Sequence, residues 1–434
     1  MTAERFVLLG LARARSEWFR QVAQWATSAA LPADFVKCVS AEEVRRRLGS
    51  GRPFSATLLD GALPAVDRDL LAAVHDAGCV PLVMDDGTGR QDWLGLGAAA
   101  VLPPALRRED LLDVLVTHCS MVGGSEIAPP GGASLPLSVV WEGSAVAVCG
   151  AGGAGSSTVA IALAQGLAAE GTAGQVLLAD LCRRAEQAML HDARELFPGL
   201  QELVEGHRKG PVEPSEVLRT TFHVYERGYD LLLGLRRPRF WSALRPRSLE
   251  TAFRSLRAAF GVVVCDIDAD FEGEDDCGSA DVEERNLASR LAAQQADAVL
   301  VVGTAGLKGL HTLTGLLADL LALGVAPERI VPVLNQAPRQ PHLRAGLSST
   351  FAQLIGSLSG GGRLPSPVFL PRRNVEEALR DGVPLPAPLP ALIVGAYHAA
   401  LRRSGELEKE LLPVGPPVTP GSLGAWSLQE EAGG

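Results

Sequence analysis

Lysine is nearly missing from this chain: of 40 cationic side chains only four are lysine, at Lys37, Lys209, Lys308 and Lys409. With heavy use of alanine, leucine, arginine and glycine, that is the composition of a GC-rich genome. An excess of positive charge is missing too. The net charge of −10 excludes bulk electrostatic binding to nucleic acid or an anionic membrane. Cysteine is sparse and scattered, at Cys38, Cys79, Cys119, Cys149, Cys182, Cys265 and Cys277. No C-x-x-C pair or His/Cys cluster points to zinc, and an odd count fits a reducing cytoplasm. His191, His207, His223 and His311 show no ligand spacing, which favours ordinary helix or loop roles. The opening residues run directly into a strand-like segment, so no signal peptide is expected. No uninterrupted apolar segment is long enough to span a bilayer.

At 434 residues the chain calls for two or three domains. Its organising stretch is 146–158, VAVCGAGGAGSST. An apolar run reads as a buried strand, an alanine-rich run from 159 to 169 reads as a helix, and Gly150 to Ser157 form a glycine loop between them. Such a loop turns backbone N–H groups around phosphate oxygens, and the helix N-terminus adds its partial positive charge. The lysine that usually completes the loop is replaced by Ser156.

Residues 1–120 alternate strands (6–9, 35–39, 56–60, 80–84, 99–102) with helices (17–30, 41–48, 69–77, 109–119), which predicts a doubly wound parallel sheet. The segment resembles a response-regulator receiver domain, of flavodoxin-like fold. Asp60, ending the third strand, takes the place of the phospho-accepting aspartate. The acidic pair after the first strand is instead Gly10-Leu11, the hydroxyl residue after the fourth is replaced by Asp85 and Asp86, and prolines replace the lysine after the fifth. Without a metal to offset charge, Asp60 is expected to cap a turn rather than accept phosphate. The domain reads as a degenerate receiver used for docking or dimerisation. A Pro/Gly-rich linker is expected over 121–138.

Residues 139–403 predict a second parallel sheet covered on both faces, with strands near 175–180, 229–233, 261–266, 298–302, 329–335 and 367–370. Helices are expected at 184–195, 212–219, 248–260, 281–295, 307–323 and 392–403. The glycine loop, Asp180 and Asp266 all fall at carboxyl ends of strands, where ligands sit in such sheets. This region resembles the ParA/MinD P-loop ATPases. The deviant Walker A pattern K-G-G-x-G-K-[ST]-[ST] is matched by Ala151, Gly152, Gly153, Ala154, Gly155, Ser156, Ser157 and Thr158. Asp180 and the Walker B Asp266 match the acids ending two strands, Asn335 the adenine-associated asparagine, and Leu370-Pro371 with 376–382 the closing motif. A pseudo-receiver ahead of such a domain is similar to the TadZ/CpaE branch, whose actinobacterial relatives are known as septum-site-determining proteins.

The resemblance implies a nucleotide site of Gly150, Gly152, Gly153, Ala154, Gly155, Ser156, Ser157, Thr158, Asp180, Asp266, Asn335 and Pro371. It implies Mg2+ at Ser157 and Asp266, and no covalently bound cofactor. The departures fall on the chemistry. Ala151 and Ser156 replace both lysines, Cys182 replaces the acid that orients the attacking water, and the switch after Walker B reads Asp266-Ile-Asp-Ala-Asp270. Phosphoryl transfer depends on positioning and electrostatic stabilisation, so very slow hydrolysis or none is expected, with no catalytic residue assigned. One lost charge-assisted contact costs about 1.5–3 kcal/mol, so weak ATP·Mg2+ binding stays compatible with the loop, as does a loop that binds nothing.

The implied role is a cytoplasmic, homodimeric localisation or assembly factor recruited to a cell pole or septum. Its partner would be a secretion or pilus ATPase, or other components of a Tad (Flp) pilus or of the septum. Two rivals remain: an active ATPase with substitute residues, and a nucleoid-binding partition protein. DNA could be held by the arginine run Arg236–Arg247, though a solvated loop with Phe240 and Trp241 tucked into the core is favoured. The acidic run 268–284 reads as a flexible loop that could pair with it. Residues 404–434 read as a disordered acidic tail, which argues against direct membrane insertion.

Overall fold

The computed structural model describes residues 5–411 except 14–15, 88–90, 123–141, 172 and 211, with side chains to residue 405. Most of the expected linker and the tail from 412 onward lie outside the described residues. The closing helix, Leu389–Leu411, continues past the expected end at 403. No described helix is long and apolar enough to cross a membrane.

The first sheet holds β1 (Phe6–Leu11), β2 (Ala33–Cys38), β3 (Ala56–Asp60), β4 (Val80–Met84) and β5 (Ala100–Leu102), in the order β2-β1-β3-β4-β5. All four pairings are parallel, the flavodoxin-like arrangement expected. Helices cover both faces, so the inner strands β1 and β3 are apolar at nearly every position and buried throughout. The edge strand β2 buries only its two ends. Asp60 is buried, and its carboxylate is already engaged. It accepts from the Arg13 side chain at 3.1 Å and from the Ala62 N–H at 3.1 Å, the turn-capping role expected.

The second sheet contains β6 (Ser144–Gly150), β7 (Val176–Asp180), β8 (Phe222–Val224), β9 (Tyr229–Leu232), β10 (Val262–Asp266), β11 (Ala298–Thr304), β12 (Ile330–Ala337) and β13 (Val368–Pro371). Their order is β13-β12-β11-β6-β10-β7-β9-β8. The pairings are parallel except at one edge, where β8 runs antiparallel to β9, a strand the sequence reading omitted. Only residues 225–228 join the two, and so short a connection closes a hairpin, not a crossover. The helix expected over 184–195 shrinks to one turn, Gln187–Leu190, because Asp192 takes a left-handed φ of 48°. A further helix, Leu200–Lys209, follows instead.

Two apolar layers sandwich this sheet. One is built on the helix Ser156–Glu170 and the closing helix, the other on Pro246–Ala259, Ala280–Gln295 and Leu307–Ala322.

The two sheets are joined through the helix Arg68–Asp76, which packs on Leu200–Lys209 and Pro246–Ala259. Buried Asp67 accepts from Arg208 at 2.7 Å, and the Arg68 guanidinium donates to the His207 carbonyl at 3.1 Å. Buried Asp69 accepts from the Arg247 N–H at 2.9 Å and from the Ser248 hydroxyl at 2.6 Å. The helix Pro246–Ala259 has no capping side chain of its own, so a carboxylate from the first domain caps it.

Candidate functional site at the carboxyl edge of the second sheet

The glycine loop lies where β6 hands over to the helix Ser156–Glu170. Gly152 and Gly153 are exposed, and Gly153 and Gly155 sit at φ 80° and 88°, the left-handed region. Gly155 occupies the N-cap position and offers no side chain, so no capping group competes for the first N–H groups of the helix. A Cβ on Gly155 would stand 2.6 Å from the Asn335 amide nitrogen, so glycine is required there twice over. That same amide donates to the Ala154 carbonyl at 2.8 Å, bringing Asn335 from β12 onto the loop. Pro371 is not brought to it: it ends β13 in register with Ala337, three strands along the sheet from β6.

β10 runs between β6 and β7 with Asp266 in register with both Val148 and Asp180. The two acids therefore end adjacent strands, with 1% and 0% exposure. Asp180 accepts two backbone N–H groups, from Gln187 at 2.9 Å and Cys182 at 3.2 Å. Asp266 accepts from the Gln187 side-chain amide at 2.7 Å. Burial, then repulsion from Asp266, raises the Asp180 carboxyl to about 8. Burial raises Asp266 to about 6, against the nearby Ser157 hydroxyl and the Gln187 amide, which lower it. The Cys182 thiol is pushed up by burial and then by Asp266.

Gln187 belongs to no recognisable motif, and it lies within a stretch expected to be a longer helix; nothing in the sequence marks it. Arg183 was also missed. Its backbone N–H and guanidinium bond Asp268 at 2.9 and 3.0 Å, and the guanidinium reaches Asp270 at 3.4 Å. It thereby ties the segment after Asp180 to the segment after Asp266. The acidic run is accordingly not a loose loop. Asp270 also binds Arg285 and Asn286, Arg290 donates to the Phe271 carbonyl, and 280–284 begin the helix Ala280–Gln295. Nor does it pair with the arginine run: among the described residues no hydrogen bond or ion pair joins them. Arg236 binds Glu202 and Arg247 binds Asp76, while Phe240 and Trp241 pack half-buried against the core as expected.

A cavity of about 390 Å³ beside Asp268 is lined by Arg183, Arg184, Arg239, Arg285, Pro238 and Trp241. Among the described residues Arg184 and Arg239 have no acidic partner. His207 and His191 serve structure, with His207 bonded to the Leu203 carbonyl and Ser255, and His191 to Tyr229.

These donors fit a magnesium nucleotide only in part. Free helix N–H groups suit phosphate, and the Ser157 hydroxyl near Asp266, whose buried Oδ1 is unpartnered, suits Mg2+. No cationic side chain lies in the loop itself.

No protein-family model matches the chain, and no curated relative does. Solved structures with related architecture include a plasmid partition protein from Borrelia burgdorferi B31 bound to AMPPNP. It is 16% identical, with 62% of this chain and 100% of that one covered and a TM-score of 0.41. A ParA family ATPase from Chlorobium tepidum TLS is 16% identical, with 62% and 99% covered and a TM-score of 0.42. The cell division ATPase MinD of Pyrococcus furiosus is 18% identical, with 62% and 99% covered and a TM-score of 0.40. Likeness at this level assigns no activity.

Proposed function

We propose that the chain is a ParA/MinD-like scaffold that binds ATP·Mg2+ weakly and hydrolyses it very slowly or not at all. The observation that carries this reading is a well-formed phosphate loop without cationic side chains. The Gly153 and Gly155 backbone, the uncapped helix at Ser156 and the adjacent Asp180 and Asp266 supply a phosphate-and-metal outline. Ala151, Ser156 and Cys182 withhold the charge and the water-orienting acid that transfer needs. Gly150, Gly152–Gly155 and the N–H groups of Ser156, Ser157 and Thr158 would hold phosphates, and Ser157 with Asp266 the Mg2+. Pro371 remains assigned to the site only through the motif resemblance.

In this reading the protein works as a TadZ/CpaE-like homodimer. It positions a secretion or pilus ATPase, or a septum component, at a pole or septum, with the first domain as the docking module. Asp60 held by Arg13 and the Ala62 N–H supports a module that does not take up phosphate. The test is calorimetric titration with ATP and Mg2+ alongside light scattering and a turnover assay. Saturable binding with a shift from monomer to dimer and no turnover is expected. Absence of binding at millimolar ATP would overturn the nucleotide part and leave a constitutive docking platform.

One observation favours a second reading. The cavity lined by Arg183, Arg184, Arg239 and Arg285 could supply the missing charge to an active ATPase. Turnover abolished by Asp266→Ala and reduced by Arg184→Ala or Arg239→Ala would decide for it.

A further inference from the structure

Two oxygen atoms at the carboxyl edge of β7 and β10 are buried without a hydrogen-bond donor: Oδ1 of Asp266 and Oε1 of Gln187. Their residues are 1% and 0% exposed. Gln187 cannot cure this by turning its amide over, because its nitrogen already serves Oδ2 of Asp266 at 2.7 Å. Among the described residues no lysine or arginine bonds Asp180 or Asp266; Arg183, the nearest in sequence, spends its guanidinium on Asp268 and Asp270. A buried carboxylate oxygen without a donor is costly, and a bound cation removes the cost. The Cys182 thiol lies close to both acids. Ligand atoms of Asp180, Cys182 and Asp266 all lie within 4.8 Å of one another.

We infer that Asp180, Cys182 and Asp266, with the Gln187 amide oxygen, bind one borderline-soft divalent cation of the Zn2+ type. The chemistry of the donor set makes this choice. Mg2+ takes oxygen ligands in octahedral geometry, whereas a thiolate among carboxylates selects zinc or cobalt. A tetrahedral ion with bonds of about 2.0–2.3 Å holds its donors roughly 3.3–3.8 Å apart, so closing the site needs movement on the order of 1 Å. Cys182 is half-buried, which leaves a path for the ion while the two acids stay sealed behind it. The site needs no nucleotide. It replaces the water-orienting acid of an ATPase with a metal ligand, and links the ends of β7 and β10 directly. Sequence spacing could not reveal it, because Asp266 is far from Cys182 along the chain.

The test is titration of the full-length, metal-stripped protein with Co2+ in the absence of nucleotide, followed by Zn2+ competition. One equivalent of Co2+ is expected to give intense tetrahedral visible bands and a near-ultraviolet thiolate-to-cobalt band, both removed by Zn2+. Cys182→Ala should abolish the near-ultraviolet band, and Asp266→Asn should weaken affinity at least about tenfold, since even outer partners of a metal commonly cost that much. Cys277→Ala, at an exposed thiol, should change neither. Circular dichroism checks folding, and Cys182→Ser gives a variant of nearly unchanged volume should alanine disturb it. Absence of stoichiometric cobalt binding would overturn the assignment, with the acids then neutralised by protons. Persistence of the band in folded Cys182→Ala or Cys182→Ser would overturn it also. Because both ions would use Asp266, the ATP·Mg2+ calorimetry is run on the metal-stripped protein, where the cobalt result has no bearing on it, so the two proposals fail separately.

Discussion

Where a buried side chain of this protein has its polar atoms occupied, the consequences follow atom by atom. His207 is fully buried, with ring nitrogens 2.8 Å from the Leu203 carbonyl and from the Ser255 hydroxyl. A neutral ring satisfies both: Nδ1–H donates to the carbonyl and Nε2 accepts from the hydroxyl. Burial, aided by the Arg68 charge, lowers its pKa. The unfolded chain therefore takes up a proton at about pH 6.5 that the folded ring refuses. This stability is fully present above that pH and is lost as pH falls toward the depressed folded value. From pH 7.5 to 5 the raised Asp180 and Asp266 carboxyls act in the opposite direction, so the test is the difference between proteins: in denaturant unfolding the stability of His207→Gln should fall less, or rise more, with acidity than that of the unaltered protein. An unchanged slope in the variant would place the loss elsewhere.

At the scale of elements, the helix Pro246–Ala259 depends on a neighbour for its start. Its own N-cap is Arg245, which makes no side-chain cap, and Asp69 from the helix Arg68–Asp76 supplies the acceptor. Asp69→Ala should cost about 1–3 kcal/mol, the cost of leaving a buried N–H and hydroxyl unpaired. It should also raise the rate of proteolytic cleavage between the two sheets. Asp76→Ala, which removes an exposed partner of Arg247, should cost less than about 1 kcal/mol. Equal losses from both would mean that Asp69 works by charge alone.

For the whole molecule, charge decides which partners remain. The net charge is −10, and the arginine run that could have gripped DNA is partly committed to Glu202, Asp76 and the Asp69 cap. The full chain is expected to show no retention on duplex DNA at physiological salt. Salt-sensitive binding lost on replacing Arg236, Arg237 and Arg239 would revive the nucleoid-binding reading.

The two doubly wound sheets, the glycine loop and the acids ending β7 and β10 were legible from the residues alone. Continuous apolar runs such as 262–265 leave few places to go except a strand buried on both faces, and a glycine loop between strand and helix has one common geometry. Missing loop cations were equally plain, since an absent charge needs no fold to be seen. What only the tertiary structure decided depends on residues distant in sequence. Among these are Gln187 against Asp266, Arg183 between Asp268 and Asp270, Asp69 at the start of another domain's helix, and Asn335 on the loop. Local sequence records the pattern that an element repeats. A single polar side chain finds its partner only when packing brings two distant segments within hydrogen-bond reach.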